Sequence, residues 1–146
     1  MARMASLYPR GPIDLSDRIR PLPDDGSIPV LPGWRWIHTP GHTVGHVSLF
    51  RESDRTLLAG DAFCTTRQEA FLAVARQTPE LHGPPSYFTT DWVAARESVR
   101  RLAALRPLRI GPGHGRPIAG HDTLHGLEEL AARFDEVARP EQGRYT

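Results

Sequence analysis

The segment TLLAG, residues 56–60, is apolar on both of its alternating faces: Leu57 and Ala59 fall on one side of an extended chain and Leu58 on the other. VSLF repeats the arrangement, with Val47 and Leu49 on one side and Phe50 on the other. Strands of this kind belong to a sheet that is covered on both faces. WRWIH (34–38) reads as a further strand, and the polar stretch ESDR joins HVSLFR to TLLAGD as a hairpin, with Glu52 and Asp54 facing solvent. Helical periodicity follows, first around Gln68 to Arg76. A second helix is expected from about Asp91 to Leu105, with Thr90 as N-cap and Trp92, Ala95, Val99 and Leu102 as its apolar stripe, stopped by Pro107. LRIGPGHG is a short strand running into a glycine-rich loop. A last helix, about Asp122 to Ala138, places Leu124, Leu127, Leu130, Ala131, Phe134 and Val137 on one side. The class is therefore α/β. These helices suffice for about one face of the sheet, so something else should cover the second.

Composition narrows the chemistry. At 146 residues, 39% apolar and 24% charged, the chain has the size and balance of one globular domain. Residues 1–33 are rich in proline and glycine and read as a linker-like segment ahead of a domain spanning 34–146. All 18 basic residues are arginine, which excludes a Walker-type phosphate loop, a Schiff-base lysine and a lysine general base. A formal charge of +1 with scattered arginines favours neither nucleic acid nor an anionic membrane as partner. Cys64 is the one cysteine, so an intramolecular disulfide and a thiolate metal cluster are both out of reach, and a reducing cytoplasm fits. There is no 18-residue apolar run, and MARMASLYPRG lacks the apolar region of a secretory signal. The expectation is a soluble, cytoplasmic protein.

HTPGHTVGH, residues 38–46, spaces three histidines four apart, which on a helix would stack them on one face. Pro40, Gly41, Gly45 and the β-branched Val44 and Val47 argue against a helix. A type II turn with Pro40 and Gly41 at its centre replaces it, leaving His42 just past the bend and aimed, and His38 and His46 not aimed. LLAGD delivers Asp61 at the carboxyl end of an apolar strand, where open α/β sheets tend to place ligands. GPGHG sets His114 between glycines on a loop after another strand. Each motif is weak alone; three in this order, each at a strand-to-loop junction, are much stronger.

Across HTPGHTVGHVSL, RTLLAGDAF and GPGHGRPI the sequence resembles the metallo-β-lactamase-fold hydrolase superfamily, over roughly residues 34–138. The resemblance implies a half of an αββα sandwich, a mixed β-sheet with helices packed on one face. It implies His42 as a ligand of a first zinc, catalytic Asp61 as the carboxylate bridging two ions, and His114 as a ligand of a second; His38 and His46 match no family ligand. The family's H-x-H-x-D-H motif, which should precede TPGHT, is absent from the chain. The reading is therefore of the C-terminal half, with at most one weakly held zinc in place of two.

Two functional readings follow. The leading one is a zinc-dependent hydrolase of an ester, thioester, lactone or amide, a small-molecule substrate of the complete enzyme, with this chain a truncated or wrongly started form. The other is a non-catalytic half-domain that forms a homodimer, or docks on a complementary N-terminal half, through its apolar sheet face. Secondary candidates are His121 with His125 as a helical pair, His82 in a loop, an aromatic group of Tyr87, Phe88 and Trp92 that either lines a substrate entrance or packs in the core, and Arg116 as an anion-binding or loop-tethering guanidinium.

Overall fold

The computed structural model describes residues 14–66, 81–86 and 88–138, without the side chains of His121 and Asp122. Five strands form one mixed sheet in sequential order: β1 (Trp34–His38), β2 (Val47–Arg51), β3 (Thr56–Gly60), β4 (Arg109–Pro112) and β5 (Ile118–Ala119). β3 and β4 run parallel; the other neighbours are antiparallel. The parallel step is bridged by a segment that includes helix α1 (Trp92–Ala104), and α2 (His121–Ala132) and α3 (Phe134–Val137) follow β5.

Register explains why one face is dry. Phe50 pairs with Leu57, and Leu57 with Ile110, so these side chains share a face with Ile37 and Ala59. All are buried, in one cluster with Val99 and Leu102 of α1 and Leu127, Leu130 and Phe134 behind them. Trp92 meets Phe134 with ring centroids 6.3 Å apart, which makes it a core residue. On the opposite face Leu49 lies between Trp36 and Leu58, flanked by Trp34 and Val47, and none of these is buried; Leu58 is 40% exposed. Among the described residues the helices cover one side of the sheet, as the number of helices implied.

Several details differ from the sequence reading. The N-cap of α1 is Asp91, whose carboxylate accepts from the Ala94 N–H at 2.9 Å. Thr90 is turned away, giving its N–H and hydroxyl to the Gly41 carbonyl. The final helix is two: Arg133, at φ −111° and ψ 26°, interrupts it, and Leu124 stays partly exposed. β5 is too short for a pattern to reveal. Asp54 is engaged, its carboxylate taking Arg51 Nε and Nη2 at 2.9 and 2.8 Å. The Arg51 guanidinium beside it holds the Asp54 carboxyl well below the usual carboxylate range. Within 14–33, Gly26 accepts the Trp36 N–H and Pro23 the Trp36 indole N–H, both at 2.8 Å, so this stretch runs beside the edge strand β1. The helix expected around Gln68 to Arg76 lies outside the described residues.

The two faces should respond differently to truncation. Leu57→Ala is expected to cost about 2–5 kcal/mol, and Leu58→Ala, one residue away, under about 1 kcal/mol. Urea unfolding of the full chain measures both, and the reverse order would place the core on the wrong face.

Candidate metal centre

The carboxyl ends of β1, β3 and β4 reach one edge of the sheet, and the three motif loops leave from there. The loop after β1 is held by backbone groups. Gly41 takes φ +135°, and a Cβ there would stand 2.4 Å from Ala95 backbone atoms, so only glycine lets the loop lie against α1. That φ is far from the roughly +80° of a type II turn; the hydrogen-bonded turn lies further on, where His46 N–H reaches the Thr43 carbonyl. Ser98 donates to the Pro40 carbonyl at 2.7 Å and Arg101 to that of His38 at 2.8 Å. The loop after β4 is tied in turn: Gly113 N–H donates to the Gly60 carbonyl at 2.8 Å and Thr65 N–H to that of His114 at 3.1 Å.

These ties bring His42, Asp61 and His114 together. His42 Nε2 lies 3.6 Å from Asp61 Oδ2, and His114 Nε2 lies 3.4 Å from Asp61 Oδ1. Both separations exceed the roughly 2.7–2.9 Å of a charge-assisted hydrogen bond. Oδ1 is buried without a hydrogen-bond partner. The tautomer of His42 follows from its other nitrogen. Thr89 Oγ1 donates its one hydrogen to the Pro85 carbonyl at 2.8 Å, so at 3.3 Å it accepts from His42 Nδ1. In the neutral ring Nε2 then carries a lone pair, which faces a carboxylate oxygen with no proton between them. A cation satisfies such a pair, and a second imidazole faces the other oxygen.

The donor set fits part of a two-ion site. Imidazole nitrogen and carboxylate oxygen are zinc ligands, but a catalytic zinc takes three from the protein. Among the described residues no group of three or more His, Cys, Asp or Glu converges to hold one ion. Each oxygen of Asp61 has one imidazole beside it, which amounts to two donors per position.

The other histidines do different work. His38 is exposed, and its Nε2 donates to the Val44 carbonyl at 2.8 Å. His46 Nε2 accepts the Asp61 N–H at 2.9 Å and its Nδ1 lies 2.8 Å from Thr39 Oγ1; burial pushes its pKa down, so the ring is neutral at pH 7. His82 is buried where its backbone bridges Cys64, and His125 is exposed on α2. Phe88 is 70% exposed and Arg116 exposed, the latter lending its carbonyl to Thr65 Oγ1. Tyr87 and the side chain of His121 lie outside the described residues. Sequence reasoning missed Thr89, Thr39 and Ser48. Ser48, polar at a core-facing strand position beside Phe50, was the available signal.

The family model of the metallo-beta-lactamase superfamily matches residues 1–114. The chain belongs to that superfamily. It is 48% identical over 137 residues to the probable metallo-hydrolase YflN of Bacillus subtilis, a match covering 94% of this chain and 52% of the relative. It thus spans about half the length of that relative. A β-lactamase domain protein from Burkholderia ambifaria shares the fold, with TM-score 0.56 and 22% identity over 81% of this chain and 34% of its own. TTHA1623, solved in a di-iron-bound form, superposes with TM-score 0.51 and 25% identity over 90% of this chain and 50% of its own. No helix among the described residues is long and apolar enough to cross a membrane.

Close approach offers a test that removes no ligand. A Cβ on Gly113 would sit 2.2 Å from Asp61 Oδ1, so Gly113→Ala must displace the carboxylate. The expected result is a zinc affinity at least about tenfold weaker with the far-UV spectrum retained; unchanged affinity by calorimetry would separate Asp61 from the metal.

Proposed function

We propose that this chain carries part of the metal centre of a zinc-dependent hydrolase that attacks ester, thioester, lactone or amide carbonyls. The observation that supports it is the Asp61 carboxylate set between two imidazole nitrogens, with one oxygen buried and unpaired. Asp61 is the bridging ligand in this reading, His42 serves the first ion and His114 the second. Bound there, zinc would lower the pKa of water toward neutrality and would polarise a carbonyl. The residues themselves supply geometry: Thr89 holds His42 in the tautomer whose Nε2 is free, and the glycine at 113 leaves the carboxylate its space. With two donors per position, the chain binds at most one zinc, weakly, and the full centre needs further ligands.

Zinc titration of the full chain tests this. The wild type should take up no more than one equivalent, and Asp61→Ala should lose more affinity than His42→Ala or His114→Ala, because it alone removes a donor from both positions. A parallel titration with iron(II) under anaerobic conditions decides the metal. A wild type that binds neither ion, or an Asp61→Ala variant that binds as well, overturns the proposal.

A second reading rests on the sheet face of Trp34, Trp36, Val47, Leu49 and Leu58, none of which is buried by the described residues. It makes the chain a half-domain that pairs with a second copy, or with a complementary half, through that face. Sedimentation at micromolar concentration should show a dimer that Leu58→Glu dissociates; a stable monomer would remove the homodimer.

A further inference from the structure

His46 neither ligates by family pattern nor lies idle, and its bonds have a direction. The Asp61 backbone N–H can only donate, and it points at His46 Nε2 at 2.9 Å. The neutral ring therefore carries its proton on Nδ1, which lies 2.8 Å from Thr39 Oγ1 and 3.1 Å from the Thr39 carbonyl. At the other end the Ala59 carbonyl can only accept, and Ser48 Oγ donates to it at 2.9 Å. Ser48 has no second hydrogen, so across 3.0 Å it accepts from Thr39 Oγ1. Every proton in the chain Asp61 N–H, His46, Thr39, Ser48, Ala59 carbonyl is assigned. Thr39 and Ser48 are 1% and 0% exposed, so water does not compete. The chain starts and ends on either side of Gly60, which takes φ +57° and whose hypothetical Cβ would stand 2.7 Å from His46 Nε2.

We infer that His46 is a positioning residue for Asp61: with Thr39 and Ser48 it forms a directed hydrogen-bond loop that clamps the end of β3 and so fixes the carboxylate between His42 and His114. This rests on the metal-centre reading above. His46 holds the ligand without being one, because its Nε2 lone pair is taken by the Asp61 amide and its Nδ1 proton by Thr39. The third histidine of the motif acquires a task that spacing alone does not disclose.

The test uses the full chain. In metal-free, nitrogen-15-labelled protein, long-range proton–nitrogen NMR should show His46 protonated on Nδ1 alone, and the Asp61 amide should exchange slowly. Zinc affinity should fall about tenfold to a hundredfold in His46→Ala and be largely restored in His46→Gln, whose amide oxygen reaches the place of Nε2. Leu57→Val, which loosens the core without touching the loop, should lose stability and keep its affinity. A ring protonated on Nε2, a His46→Ala variant that binds like the wild type, or an equal loss in Leu57→Val overturns the inference. Zinc uptake that responds to His42→Ala but not to His46→Ala defeats this inference alone; a wild type that takes up neither zinc nor iron(II) defeats it together with the metal-centre reading.

Discussion

A carboxylate oxygen and the lone pair of a neutral imidazole repel one another unless a positive charge lies between them, and in its neutral form His42 makes such a pair with Asp61. Much of the local architecture serves to keep it there. The carboxylate stands at the end of an apolar strand whose neighbours Leu57 and Ala59 are fully buried, so the strand cannot slide without opening the core. The second oxygen, buried and unpaired, faces His114 on the adjacent parallel strand's loop. Burial of an unsatisfied acceptor costs on the order of 1–3 kcal/mol, and a metal ion relieves that cost.

Helix α1 links the core to this edge. Its buried stripe packs against the sheet, while Ser98 and Arg101 on the same helix hold carbonyls of the TPGHT stretch. Gly41 permits the contact, because a side chain there would strike the Ala95 backbone. The loop that carries His42 is thus braced against a regular element.

Strand and helix periodicity was readable because alternation and the 3.6-residue stripe are local properties: WRWIH, VSLFR, TLLAG and the stripe of α1 appear where the pattern put them. The one-sided helical cover was legible from the number of helices, set against strands that carry Leu57 and Leu58 on opposite faces. The meeting of His42, Asp61 and His114 was foreseen through three motifs at strand ends and a family resemblance, since no local rule joins residues so far apart in the chain. What escaped depends on tertiary contact. Asp91 and Thr90 are both good caps, and Gly41 decides between them by taking Thr90's donors. His46 looked idle because its partners, the Asp61 amide and Thr39, become visible only once β1, β2 and β3 are side by side. Likewise Asp54 read as a solvated turn residue until Arg51 closed on it.

The most direct measurement is anomalous diffraction at the zinc edge from crystals of this chain grown with zinc. The expected result is an anomalous peak within about 2.0–2.2 Å of an Asp61 oxygen and of Nε2 of His42 or His114. Zinc bound elsewhere, or an Asp61 carboxylate turned to hydrogen-bond with protein donors and leaving no room for an ion, would contradict the assignment of this edge as a metal centre.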